Sequence, residues 1–182
     1  FKDHGYYTLA GGKVLHHGFT GRLSEAIDQS LGREKGRRPK DVMNRPASWS
    51  GAWDWGQYPD KDTEMADFKL AQNAANFLSS DFKPPFFLSV GFFRPHVPLF
   101  APPCWFQKYD IEAISLPHIP SWDLDDVPKN FLNINSYAVA PTHAEVLKHG
   151  KQRGLTQAYL ASISFVDSCV GLVVDALRAS PH

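Results

Sequence analysis

The chain is poor in several features that would have narrowed its class. Only two of its 182 residues are cysteine, Cys104 and Cys169. That is too few for a disulfide framework, so cysteine usage fixes no redox compartment. Charge of either sign is not in surplus, because 19 Lys and Arg balance 19 Asp and Glu. This argues against a nucleic-acid binder, which needs a positive field to hold phosphates. No uninterrupted apolar run approaches the roughly 18 residues that cross a bilayer, so no membrane span is expected. Internal repeats and low-complexity tracts are missing too. So are the G-x-S-x-G elbow, the Walker loop, H-E-x-x-H and a paired C-x-x-C, which removes the chemistries those motifs carry.

What is present suits a folded protein. Hydrophobic residues make up 43% and charged residues 21% of the chain, ordinary values that leave little room for disorder. The length suffices for one domain with a sizeable core. The chain begins at Phe1, at what reads as the end of a helix, and stops just after another helix. Neither end reads as a domain boundary, so an internal fragment is expected, and the lack of a signal peptide is uninformative.

One stretch organises the rest. In residues 84–103, Phe86, Phe87, Leu88 and Val90 form a short apolar run between Pro85 and Gly91. That pattern predicts a central strand of a mostly parallel sheet, buried on both faces. Arg94-Pro95-His96-Val97-Pro98 follows, placing a cation and an imidazole just past the strand's carboxyl end. Open α/β sheets bind ligands at that edge.

The remaining elements are read from period and punctuation. Lys2-Asp3-His4-Gly5 reads as a helix end stopped by glycine. A strand through Tyr7 and Leu9 leads to Gly11-Gly12, where glycines signal a bulge or close backbone approach. Lys13, His16 and His17 then cluster where that strand ends. Residues 20–61 show no sustained period and form an irregular insertion with a basic run at 33–40 and an aromatic cluster, Trp49, Trp53, Trp55 and Tyr58. Two readings stand for the cluster: tryptophans packed back on the body, or a substrate-facing loop whose rings suit sugars.

A helix is predicted from residue 65 to 80. Ala66, Leu70, Ala71, Ala74, Phe77 and Leu78 form its apolar stripe, Asp67 and Lys69 lie opposite, and Asp62 or Thr63 is the expected cap. A short helix with proline at its start is predicted over 102–109. Residues 111–142 read as an irregular surface connection, with Asp125 and Asp126 in a solvated turn. A long final helix is expected to bury Leu155, Tyr159, Ile163, Val166, Val170, Val173 and Leu177 as one stripe, with Asp167 on its surface and Cys169 as a buried small hydrophobe.

The chemistry these residues permit centres on cations at strand ends: Lys13, His16 or His17, Arg94 and His96. Lysine supplies a point charge, and imidazolium can both bind an oxygen and protonate a leaving group. Such a set suits a tetrahedral oxyanion.

Three segments also carry a family resemblance. Gly12-Lys13-Val14-Leu15-His16-His17-Gly18 resembles the G-K-x-x-H segment of the sulfatases, in the form of their iduronate-2-sulfatase branch. Residues 85–103, P-F-F-L-S-V-G-F-F-R-P-H-V-P-L-F-A-P-P, are similar to that family's second histidine motif. Residues 159–171 resemble the helix before its next metal-binding strand. The order and spacing agree, and only residues 21–60 match loosely.

The resemblance implies an alkaline-phosphatase-like α/β sandwich with a mostly parallel central sheet, incomplete here, with residues 1–182 forming part of a single catalytic domain. It implies sulfate-ester hydrolysis on a sulfated sugar or polysaccharide by a periplasmic, secreted or lysosomal enzyme that depends on formylglycine and calcium. Lys13 would contact the sulfate and the formylglycine hydroxyl, and His16 would orient that group and help expel sulfate. His96 would hold a sulfate oxygen and protonate the departing alcohol. Arg94 and His17 would assist binding, His17 replacing His16 if the register slips by one. The C/S-x-P-x-R nucleophile motif and the metal-binding aspartates of the family are not in this chain, so their ligands would lie outside it and the fragment alone is expected to be inactive. Phosphodiester or phosphonate hydrolysis in the same superfamily, and a non-catalytic carbohydrate-binding remnant, remain alternatives.

Overall fold

The computed structural model describes residues 1–18, 20–132 and 140–182. It opens on a 3₁₀ turn, Lys2–His4, stopped by Gly5 at φ 81°. This left-handed conformation is open to glycine at no Cβ cost. Strand β1, Tyr7–Gly12, follows, and it runs straight through both glycines. A short helix α1 (Arg22–Glu25) and strand β2 (Gln29–Ser30) come next, then β3 (Trp55–Gln57). Helix α2 (Ala66–Leu78) leads to strand β4 (Phe86–Gly91) and β5 (Leu99–Ala101). The last elements are α3 (Pro103–Phe106), α4 (Lys129–Leu132), α5 (His143–Lys148) and α6 (Gln152–Ala179). Residues 20–61, which lack a sequence period, thus contribute two short strands.

All strand pairs are parallel. One sheet has the order β2-β1-β4, and the other pairs β3 with β5. β1 and β4 match residue for residue from Tyr7 opposite Phe86 to Gly12 opposite Gly91. Parallel, in-register strands end at the same edge, so the segments after Gly12 and after Gly91 leave the sheet side by side. This relationship positions the site.

Two expectations about burial are corrected. Among the described residues β4 pairs only with β1, which is the central strand of the three. β4 is consequently half-buried rather than enclosed on both faces, and Phe87 remains 38% exposed. One face of β4 still joins Leu9, Leu70 and Ala74 in a core cluster through Phe86, Leu88 and Val90.

Helix α6 has apolar residues on more than one face, and its fully buried residues are not those of the predicted stripe, of which Leu155 and Val173 are partly buried against the core. Ala158, Ala161, Ser162, Phe165 and Cys169 are its buried residues, packed with Ala71, Leu99, Ala101 and Phe106. Tyr159, Ile163, Val170 and Leu177 of the predicted stripe are exposed. The buried face carries three small residues, Ala158, Ala161 and Ser162, and α6 packs against α2 and β5. α6 is long and apolar enough to cross a membrane by length and composition. No such helix was expected, because Ser162, Ser164, Asp167 and Ser168 break the run into shorter pieces.

Helix α2 starts after a 3₁₀ turn, Asp62–Glu64. Its N-cap position is Met65, with no side-chain cap, so neither Asp62 nor Thr63 caps it. Asp62 instead accepts a 2.7 Å hydrogen bond from Trp105 Nε1. Helix α3 does begin with Pro103 at its first position, where the missing N–H costs nothing. Asp125 and Asp126 lie exposed in a run of turns, and the part of the surface connection at 133–139 lies outside the described residues.

Candidate active site

The two histidine segments meet at the carboxyl edge of the β1–β4 pair. Lys13 N–H donates to the Gly91 carbonyl at 2.6 Å, which extends the ladder by one bond and fixes where the Lys13 chain departs. Gly91 must be glycine for this approach. A Cβ there would lie 2.5 Å from the Lys13 carbonyl carbon and 2.6 Å from Val14 N. Gly12, at φ 71°, is equally confined, since a Cβ would strike the Gly91 carbonyl oxygen.

Beyond Gly12 the chain forms a tight loop in which Gly18 N–H donates to Leu15 O at 3.3 Å. Lys13 is half-buried, and His16 and His17 are exposed. The two imidazoles stand edge to face with ring centroids 4.6 Å apart. Arg33 approaches from the β2 side: its Nη2 donates to His16 O at 2.8 Å and Leu15 O at 3.3 Å. A cleft of about 380 Å³ lies alongside, with Gly12, His17, Ser30 and Arg33 in its walls.

The second segment is held from below by α2. Asp67, only 3% exposed, accepts from Phe93 N–H at 2.8 Å and Arg94 N–H at 2.9 Å. An acceptor carboxylate in the first turn of a helix is also favoured by the helix dipole. Arg94 turns its side chain back on its own loop, donating from Nε to Phe100 O at 2.8 Å. Burial pulls the Arg94 guanidinium below its ordinary value, with the Asp67 charge opposing and Arg38 adding to the effect. Arginine nonetheless stays charged, so this part of the edge is positive.

His96 is exposed, and its Nδ1 lies 2.7 Å from the Val97 carbonyl. A carbonyl only accepts, so this contact calls for a proton on Nδ1 and leaves Nε2 as the outward nitrogen.

Thus the sheet brings the segments bearing Lys13, His16 and His17 to the same edge as the segment bearing Arg94 and His96. Two residues that organise this edge escaped sequence reading. Asp67 was expected on the polar face of its helix, and only its place in the first turn hinted at more. Arg33 was indistinguishable from Arg37 and Arg38 in the same basic run.

At Trp49 and Trp55 the aromatic cluster follows the packed-back reading. Trp49 and Trp55 are 5% and 4% exposed, and both belong to the core beneath α6. They are packing residues, not a substrate-facing platform. The loop before them is tied down by Asp54, whose carboxylate accepts from Met43, Asn44 and Arg45 N–H. Burial raises the affinity of Asp54 for a proton, but these amides and that of Trp55 outweigh it and hold the carboxyl below its ordinary value.

Neither thiol is placed as a nucleophile. Cys104 is exposed on α3. Cys169 is pushed up to about 12, first by burial and then by the nearby charges of Asp67 and Asp62, so it is a neutral core group. Among the described residues no three His, Cys, Asp or Glu side chains converge as a metal site would require. These residues therefore do not fit a resident calcium ion.

A profile of the sulfatase family matches residues 1–181. A sulfatase of Formosa agariphila is 36% identical, with all of this chain covered and 38% of that protein. The iduronate 2-sulfatases of Mus musculus and Homo sapiens are 30% and 28% identical, each over 97% of this chain and 36% of their own length. The chain therefore spans little more than a third of the relatives that it matches. The match runs through both histidine segments and the helices beneath them, and the chain belongs to the sulfatase family, with its alkaline-phosphatase-like α/β fold.

Proposed function

We propose that this chain forms part of the catalytic domain of an enzyme that hydrolyses sulfate esters, and that the C-terminal edge of the β1–β4 pair is its sulfate-binding wall. The observation that carries this reading is the register of the two strands, which sends the Lys13 and His96 segments out side by side.

In this reading Lys13 places a point charge on a sulfate oxygen, and His16 binds beside it. His96 holds another oxygen and gives the proton on Nε2 to the departing alcohol as the S–O bond breaks. That step needs the doubly protonated imidazole, since Nδ1–H is already engaged with Val97. Arg94 adds positive field from its anchored position, and His17 lines the neighbouring cleft. Formylglycine and calcium, on which the family implies dependence, would be supplied from outside these residues.

A sulfated sugar is the proposed substrate class, supported by the iduronate 2-sulfatase relatives, and a periplasmic, secreted or lysosomal setting goes with it. The balanced charge gives no reason to invoke nucleic acid. The test uses the full-length parent enzyme. It should release sulfate from a sulfated oligosaccharide or an aryl sulfate faster than phosphate from the matching phosphate ester. Phosphate release that is the faster of the two, or no release of either, would overturn the proposal.

A further inference from the structure

We propose that Arg33 is a positioning residue for the proposed sulfate site, clamping the loop that carries His16 and His17 and tying it to the segment that carries Arg94 and His96. This rests on the functional reading above and assigns a role within it.

The argument starts from the backbone. Gly12 N–H donates to Gly32 O at 2.8 Å, so the chain after β2 runs beside the end of β1 and delivers Arg33 directly to the loop. There a single guanidinium nitrogen spans two successive carbonyls, Leu15 O and His16 O. Among the described residues no other side chain donates to either. Gly18 lies against the same group, since a Cβ on it would sit 3.5 Å from Arg33 Cδ, Nε and Cζ. The exposed loop therefore closes around a guanidinium rather than around an apolar core.

The other face of Arg33 looks towards the second segment. Its Cζ stands 5.8 Å from the centroid of the Phe93 ring, within the range of a cation–π contact. Phe93 is the residue whose N–H is fixed by Asp67. A continuous chain results, from α2 through Asp67 and Phe93 to Arg33 and on to the carbonyls of residues 15 and 16. Both histidine segments are thereby referred to one rigid helix.

A guanidinium suits this task better than an ammonium, because its Nη2 donates to both carbonyls while its flat face also packs against a ring. Arg33 Nε is buried with no hydrogen-bond partner. Leaving a buried donor unpaired is costly, so the side chain is held here for the contacts it does make.

Positioning acts on rate more than on binding, because misplacing a reacting group by a fraction of an ångström loses near-attack geometry. In the full-length parent enzyme, Arg33→Ala should lower kcat for 4-nitrophenyl sulfate by about 10- to 100-fold while KM changes by less than about threefold. The pH profile of kcat should shift, since the imidazoles would sit in altered surroundings. Arg33→Lys should recover only part of the rate, and millimolar guanidinium should restore part of it to Arg33→Ala.

A kcat within about twofold of the parent in a folded variant, or a loss seen only in KM, would overturn the inference. Should Arg33→Ala fail to fold, Arg33→Lys and Arg33→Gln decide by the same criteria. A parent enzyme that releases no sulfate would be detected before any variant is made, and would overturn the functional reading and this inference with it.

Discussion

Lys13 and Gly91 are bonded across the end of the sheet, amide to carbonyl at 2.6 Å, with no space for a side chain at Gly91. The place where the Lys13 backbone leaves the sheet is thus set by pairing with the strand that carries the other histidine segment. Gly91→Ala should therefore damage stability and activity together. The new methyl meets the Lys13 backbone rather than a yielding side-chain tip, so overpacking should cost about 1–3 kcal/mol. Sulfate release should fall by about 10-fold or more as the Lys13 backbone moves. Gly171→Ala is the control, because nothing lies within 4 Å of a Cβ there, and it should be neutral or slightly stabilising. Melting temperatures and rates of the two variants decide the matter.

Asp67→Asn keeps the shape of the side chain but removes one of the two acceptors that Phe93 and Arg94 N–H require, and it removes the charge that faces Arg94. One amide donor would point at another donor. A loss of about 2–4 kcal/mol is expected in urea denaturation of the parent enzyme. A midpoint unchanged from the parent would show that the carboxylate is not what holds the Arg94 loop.

Lys13→Ala and His96→Ala should each lower kcat for a sulfate ester by about 100-fold, the scale seen when a donor to a developing negative charge is removed. Circular dichroism should be unchanged, because both side chains lie at the sheet edge and outside the two core clusters. Near-normal turnover in either variant would remove that residue from the proposed site.

Stability should fall on acidification because of two carboxylates. Asp28 is lowered from 3.8 to about 2, chiefly by the hydrogen bond from Lys2 and then by the amide and hydroxyl of Thr8. Asp54 is lowered too. A depressed carboxyl favours the folded state above its unfolded value, and this contribution is lost as pH drops through the folded value. The melting temperature should therefore decline between about pH 4 and pH 2. Asp28→Asn should decline less over that window, and parallel curves for the two proteins would rule out Asp28 as a contributor.

Much of the local structure was legible from residue order. Gly5 stops its turn, Pro103 starts α3, and the apolar period of α2 buries Leu70, Ala71, Ala74 and Leu78 as expected. The two histidine segments could be recognised as strand ends because alternation and glycine are local signals. α6 was not legible in the same way. Its sequence carries two apolar stripes, and only the neighbours α2 and β5 select the narrower one for burial. The tryptophans were equally ambiguous, since an aromatic ring in a sequence looks the same in a core as on a surface.

The sequence by itself determined β1, α2, β4, α3 and α6 and which residues carry charge at the strand ends, because hydrogen-bond periods and backbone restrictions act over a few residues. Tertiary structure alone decided that β1 and β4 end in register and that, among the described residues, β4 pairs only with β1. It also decided that Asp67 turns inward and that Arg33, rather than another member of its basic run, reaches the His16 loop. These outcomes depend on contacts between residues 17 to 79 positions apart, and no local pattern encodes a partner at that separation.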